Sequence, residues 1–195
     1  MKIGITGNIG SGKTTVCKIF ETLGIPVYYA DIEAKRLMIE NTHVVEKIKL
    51  LFGLKAYLED GSLDRKYISE VVFNNPQVLS KLNYIVHPAV REDSERWAKA
   101  QKGAAYVLKE AALLVESDSY KDLDKLIVVT APIETRIQRV MKRDHVNKEA
   151  VLAREKNQMS EDKKIELADY KINNDGTEAL IPQIHKIHQE LLSLV

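Results

Sequence analysis

Residues Gly7-Asn8-Ile9-Gly10-Ser11-Gly12-Lys13-Thr14 follow the spacing Gly, four residues, Gly-Lys-Ser/Thr. That spacing suits the chemistry of polyphosphates. Gly7, Gly10 and Gly12 permit a backbone approach to an anion that a Cβ would block. Lys13 can reach the β- and γ-phosphates of a nucleotide as a mobile point charge. Thr14 offers its hydroxyl to Mg²⁺. The cofactors this pattern points to are ATP and Mg²⁺.

Other chemistry-bearing residues are scattered along the chain. Asp31 is a candidate general base or orienter of an acceptor hydroxyl. As read from spacing, a helix N-cap is an equal alternative for it. Glu110 could touch magnesium through water or cap a turn. Arg136, Arg139 and Arg143 fall at i, i+3 and i+7, one face of a helix. Three guanidiniums aimed one way suit a polyphosphate, and a solvated basic face is the bland alternative. Beside a phosphate loop, function is expected of Arg139 and Arg143 but not of Arg136. The stretch Arg154-Glu155-Lys156-Asn157-Gln158 is open between closing over ATP and having no such role. His87 precedes Pro88, which favours an extended backbone at a helix start; a histidine there reads as a cap or a packed surface group.

The elements needed to position these groups follow from periodicity. Lys2–Thr6 reads as a buried strand, and Val16, Ile19, Phe20 and Leu23 mark the helix after the loop. Further strands are expected at Val27–Ala30, Ala104–Leu108, Lys125–Val129 and, weakly, Tyr170–Ile172. Helical patterns separate them. The fold class is therefore α/β, a parallel sheet carrying the phosphate loop (P-loop), with helices on both faces. Ligands of such sheets sit beyond the carboxyl ends of the strands. The loop, Asp31, Glu110, Thr130 and Asn173-Asn174 would share that rim.

No convincing strand lies between Ile32 and Lys102. That segment reads as helical, with breaks at Asp60-Gly61, Asn75-Pro76 and His87-Pro88. A second charged segment, about 140–164, reads as a mobile helical flap. Leu180, Ile184, Ile187 and Leu191 face a last helix inward. The single domain divides into a core of about 1–34, 103–139 and 165–195, an insertion of about 35–102 and a lid of about 140–164.

Composition narrows the function classes. The chain has 195 residues and a formal net charge of +1, which gives no reason to expect nucleic acid or a membrane surface as partner. Cys17 is the only cysteine, so no internal disulfide can form. No secretory signal or membrane-spanning stretch is read, and a cytoplasmic location is expected. No Cys/His/Asp cluster has structural-metal spacing. The base-reading Asn-Lys-x-Asp of GTPases fails at Ala150 of Asn147-Lys148-Glu149-Ala150. A monomer or weak homo-oligomer is expected.

Taken together, the motifs resemble the dephospho-CoA kinase family across nearly the whole chain. The resemblance rests on Thr6–Thr15, Ala30-Asp31, Gly61-Ser62-Leu63-Asp64-Arg65, Val72-Phe73 and Leu82–Pro88. It continues through Leu113–Glu116, Arg139–Asp144, Gln158-Met159, Ala168-Asp169 and Ile172–Gly176. The Leu-Asp-Arg and His-Pro blocks are more specific than the phosphate loop, which many kinases share.

The resemblance implies ATP-dependent phosphorylation of the ribose 3′-hydroxyl of dephospho-CoA to give CoA and ADP, the last step of CoA biosynthesis. It implies that Gly7 to Thr15 and Asn174 bind ATP, with Asn174 near the adenine. Lys13, Asp31, Arg139 and Arg143 would be catalytic, Asp31 as base. Lys35, Asp64, Arg65, His87, Pro88 and Glu110 would shape the acceptor site with Asp31, and Thr14 would hold the metal. The helical insertion would bind dephospho-CoA. Three departures bear on the acceptor contacts near Lys35 and Glu110. Tyr29 stands where the family often has an aspartate, Lys35 where an arginine is usual, and Glu110–Glu116 reads Glu-Ala-Ala-Leu-Leu-Val-Glu for Asp-x-Pro-Leu-Leu-Phe-Glu. The alternative function is another P-loop small-molecule kinase acting on a nucleoside, nucleotide or shikimate-like alcohol. A nucleotide-binding switch without transfer chemistry would lack the base or the lid arginines.

Overall fold

The computed structural model describes residues 1–73 and 75–195. They form two compact units. One comprises Met1–Tyr29 with Gln101–Val195, the other Ala30–Ala100.

The first unit is built on five parallel strands. They are β1 (Lys2–Thr6), β2 (Val27–Tyr29), β3 (Val107–Glu110), β4 (Lys125–Thr130) and β5 (Tyr170–Asn173), in the order β2-β3-β1-β4-β5. The α/β parallel sheet is as expected. Strand ends differ from the periodicity reading: β3 begins at Val107 rather than Ala104, and Ala30 already belongs to a helix. Tyr106 explains the first shift. It is fully buried and packs toward the last helix, so it contributes to the apolar run without lying in the ladder.

β1 sits between β3 and β4, the point at which the strand order turns back. That is where an open parallel sheet leaves a crevice. On one face Ile3, Ile5, Leu108, Ile127, Val129 and Ile172 meet α1 (Lys13–Thr22) and α9 (Leu180–Leu192). Val16 and Phe20 from α1 and Ile184 and Leu191 from α9 are fully buried there. Each such side chain contributes about 1.5–3 kcal/mol relative to exposure. On the other face the strand is thinned at Gly4, where a Cβ would lie 2.6 Å from Leu123 and 3.1 Å from Leu114 and Leu126.

Three further helices complete this unit: α6 (Ile133–Asp144), α7 (Lys148–Glu155) and α8 (Glu161–Glu166). The apolar side of α6 packs less on the sheet than on α7. Ile137, Val140 and Val151 form a cluster joined by Ile9 of the phosphate loop.

The second unit is helical: α2 (Ala30–Glu40), α3 (Thr42–Phe52), α4 (Arg65–Phe73) and α5 (Pro76–Ala100). The expected break at His87-Pro88 does not occur. Pro88 lies inside α5, which runs on for 25 residues. Pro88 has no N–H for the carbonyl of Tyr84, a loss worth about 3 kcal/mol in a helix interior. Leu82, Val86, Val90 and Ser94 recur every fourth residue and are all buried. That stripe spans the proline, and its burial exceeds the penalty. His87 is consequently an exposed mid-helix residue, not a helix start.

Among the described residues, no helix is long and apolar enough to cross a membrane.

Candidate active site

The phosphate loop joins β1 to α1 and is shaped by its glycines. Gly12 caps α1 in the left-handed region, φ 93°. A Cβ there would lie 2.1 Å from Asn174 Nδ2, and one on Gly10 (φ 81°) would lie 2.4 Å from the carbonyl oxygen of Arg136. Neither position tolerates a side chain without a shift in its neighbours.

α1 has no side-chain cap at its N-terminus and no acidic residue in its first turn. The amides of Thr15 and Val16 donate to the carbonyl of Gly12 at 3.0 and 3.2 Å, and the helix dipole favours an anion beside this N-terminus. Lys13 Nζ donates to the carbonyl of Gly7 at 2.8 Å, arched back over the loop. Thr14 and Thr15 are exposed in the first turn of α1.

Several polar atoms around the loop have no protein partner. Asn8 Oδ1, Ser11 Oγ and Arg139 Nη1 are buried and make no hydrogen bond. An unmet buried group is costly, about 1–3 kcal/mol and more when charged. Arg139 Nη2 donates to the carbonyl of Asn174 at 3.0 Å, and Asn174 Nδ2 donates to the carbonyl of Ser11 at 2.7 Å. Asn174, the residue after β5, thus holds the loop and steers an arginine beside it. Arg139 Nη1 lies 4.0 Å from where a Cβ on Gly12 would stand. A half-buried arginine with a buried, unpartnered Nη1 beside a glycine cradle suits a polyphosphate.

The other two arginines of α6 divide differently from expectation. Arg143 is exposed and forks onto its neighbour Asp144, with Nε at 2.7 Å and Nη2 at 3.1 Å. Arg154 reaches the same carboxylate at 2.8 Å. Together they hold Asp144 down to a pKa of about 2. Arg136 is not on a solvated face: it is 4% exposed. Its Nε donates to the carbonyl of Ala131 at 2.9 Å and its Nη1 to Glu155 at 2.7 Å. The signal was present in the sequence, because 136 lies at i+3 from Ile133 and i−4 from Val140, inside the apolar stripe.

Glu110 ends β3 and is buried, 7% exposed. Burial first, and then the charges of Glu110 and Glu21, push the Cys17 thiol well above its ordinary range. Burial likewise keeps the Tyr29 phenol protonated. Cys17 is a packed, inert thiol at neutral pH.

The segment after β3 carries a buried ion pair that sequence reasoning missed. Lys164 is fully buried, its Nζ 2.9 Å from Glu116 Oε1. Glu116 Oε1 also accepts from the amide of Met159 at 2.8 Å. The stretch 155–159 meets the loop directly: Asn8 Nδ2 donates to Glu155 Oε1 at 2.9 Å and to the carbonyl of Met159 at 3.1 Å. The amide of Ile9 donates to Gln158 Oε1 at 2.8 Å.

Asp31, Lys35, Asp64, Arg65, His87 and Pro88 all belong to the helical unit. Asp31 is exposed in the first turn of α2, one residue inside the helix, and so is not its N-cap. Lys35 is exposed on α2. Arg36, next to it, cannot replace the usual arginine. Its guanidinium is occupied by Glu33, by Glu40 at 3.0 Å and by Asp93 at 2.9 Å. Asp64 caps α4, accepting from the amide of Tyr67 at 2.9 Å, and Arg65 is the exposed first residue of that helix. A groove of about 470 Å³ in this unit is lined by Leu50, Leu51, Tyr84 and Ile85 with Lys47 and Lys81. None of the acceptor candidates lines it.

Comparison with known proteins agrees with the loop chemistry. The family model described as dephospho-CoA kinase matches residues 1–179. A dephospho-CoA kinase of Salinibacter ruber is 44% identical over 177 residues, covering 90% of this chain and 89% of that protein. The crystal structure of TT1252 from Thermus thermophilus superposes with a TM-score of 0.85 at 36% identity, covering 100% of this chain and 97% of the other. The dephospho-CoA kinase structure from Campylobacter jejuni gives 0.72 at 32% identity, with 99% and 98% covered. On the loop, the sheet that carries it and this match over nearly its full length, the chain belongs to the dephospho-CoA kinase family.

Proposed function

We propose that this chain transfers the γ-phosphoryl group of ATP to the ribose 3′-hydroxyl of dephospho-CoA, giving CoA and ADP. The observation that carries the reading is the glycine cradle at the head of α1, with the unpartnered Arg139 Nη1 beside it. Membership of the dephospho-CoA kinase family selects the acceptor. It gives no support to a nucleoside or shikimate-like alcohol instead.

The loop amides from Gly7 to Thr15, with Lys13 and Arg139, bind and neutralise the ATP phosphates. Arg143, released from Asp144, adds a further charge. Phosphoryl transfer asks mostly for positioning and electrostatics, so these groups supply the larger share of the acceleration. Thr14 fits the role of the residue that holds Mg²⁺: its hydroxyl stands exposed in the first turn of the uncapped helix. The ion, when bound, would supply positive charge to neutralise the phosphates.

Asp31 takes the proton as the acceptor oxygen bonds to phosphorus and the bond to the ADP oxygen breaks. Its chain position, two residues after β2, and its exposure support this role. Lys35, Asp64, Arg65, His87, Pro88 and Glu110 serve the acceptor. Asn174 acts on ATP through the loop and Arg139 rather than through adenine alone. The reaction needs no nucleic acid or membrane and belongs in the cytoplasm.

An ADP-release assay with dephospho-CoA, adenosine, nucleoside monophosphates and shikimate tests the reading. Dephospho-CoA should give the highest kcat/KM, with the product heavier by one phosphoryl group. Asp31→Asn should bind ATP normally and lose about 100-fold or more in kcat. A different preferred acceptor would overturn the substrate, and full activity in Asp31→Asn would remove the base.

A further inference from the structure

The stretch 155–159 does more than follow α7. It makes three hydrogen bonds to the first two variable residues of the phosphate loop, two to Asn8 and one to Ile9. Its own anchors are buried. Glu155 Oε2 accepts from Arg136 Nη1 at 2.7 Å, and Arg136 in turn is fixed on Ala131. Arg136 Nη1 also reaches the carbonyl of Ile9 at 3.4 Å. The amide of Met159 is held by Glu116, which Lys164 pins from the other side. Ile9 itself is packed into the cluster of Ile137, Val140 and Val151.

A loop with three glycines in eight residues is costly to order, about 1–2 kcal/mol per residue fixed. When a ligand must bear that cost, its affinity falls; when the protein has ordered the loop beforehand, it does not. We propose that Gln158 and Glu155 are positioning residues for the phosphate loop. They hold Asn8 and Ile9 in the ligand-ready form before a nucleoside triphosphate arrives. Gln158 satisfies the amide of Ile9. Glu155 couples the side chain of Asn8 to buried Arg136. Neither residue touches the phosphates; both act through the loop. The inference rests on the reading that this loop receives ATP.

The test uses the whole protein and two variants of one position. Gln158→Met keeps the side chain's length but offers only a weak acceptor, whereas Gln158→Glu retains an oxygen at the same place. In nucleotide-free protein, amide exchange at Ile9 should be at least about 10-fold faster in Gln158→Met and within about 3-fold of wild type in Gln158→Glu. Titration with a non-hydrolysable ATP analogue should show the dissociation constant raised about 5- to 20-fold in Gln158→Met and restored in Gln158→Glu. KM for ATP should rise while kcat at saturating ATP stays within about 3-fold. An unprotected Ile9 amide in wild type, or equal exchange in wild type and Gln158→Met, would overturn the clamp. So would an unchanged analogue affinity alongside faster exchange. Protection lost in Gln158→Met but no analogue binding by wild type would instead sink the kinase reading and leave the clamp in place.

Discussion

Removing the ammonium of Lys164 should destabilise the protein far more than an ordinary surface lysine would. Its side chain is fully buried, with Nζ 2.9 Å from Glu116 and 3.4 Å from the carbonyl of Ala112. Lys164→Met leaves the carboxylate of Glu116 without its counter-charge, while Oε2 already lacks a partner. Breaking one side of a buried pair costs about 3–5 kcal/mol. At about 2–4 °C per kcal/mol for a protein of this size, the melting temperature should fall by about 6–20 °C.

Replacing both partners separates charge from packing. Lys164→Met with Glu116→Gln removes the stranded charge but keeps an acceptor for the amide of Met159. That double variant should return to within about 1 kcal/mol of wild type, a rescue of about 2–4 kcal/mol relative to Lys164→Met alone. Glu116→Gln alone leaves the lysine buried without its anion. Calorimetric melting of the four proteins reads all of this. A single Lys164→Met variant melting within about 2 °C of wild type refutes the buried-pair reasoning. So does a double variant no better than the single.

Three more outcomes are expected. Lys13→Ala should weaken ATP binding and lower turnover together, because its ammonium serves the loop and the phosphates; an unaffected enzyme would remove the lysine from the site. Pro88→Ala should gain about 2 kcal/mol, a helix-interior penalty of about 3 less about 1 for a stiffer unfolded chain, visible as a higher melting temperature. An equal or lower value would mean that the missing bond to Tyr84 carries no penalty here. His188 Nδ1 shares a hydrogen bond of 2.6 Å with the buried Tyr106 hydroxyl, and burial depresses its pKa. Its folded-state pKa lies below the unfolded value near 6.5, so its contribution is present above that pH and lost as pH falls toward the folded value. A carbon-detected imidazole titration with a midpoint above 6.5 would contradict the sign.

The parts of the fold visible in the sequence were those that local pattern determines. The loop and the run Lys2–Thr6 could be read because glycine spacing and an apolar strand need no distant partner. α9 was equally plain, since Ile184, Ile187 and Leu191 fall on one helical face and all three are buried. The path of α5 through Pro88 was not, because a local breaker loses to burial on both sides of it. Lys164 was illegible for a related reason, and the charge of Arg136 outweighed its place in the apolar stripe of α6. Charge argues for solvent until a carboxylate distant in sequence neutralises it, and Glu155 and Glu116 lie 19 and 48 positions away. Of the candidate site, the glycines and Lys13 of the loop between β1 and α1 could be named from type and spacing. The hydrogen bonds that fix them, from Asn174 and Gln158, span 163 and 149 residues and leave no periodic trace.

That long reach has a consequence for biosynthesis. Ser11 leaves the ribosome early, yet the asparagine that braces it is made 163 residues later. At about 5–20 residues per second the interval is about 10–30 s. β1 must wait as well, for neighbours beginning at Val107 and Lys125. Parallel pairings of such high contact order form slowly. A nascent chain therefore lacks this brace until its translation is almost finished, and any premature stop before residue 174 yields a polypeptide with the glycine loop but not the hydrogen bond that secures it.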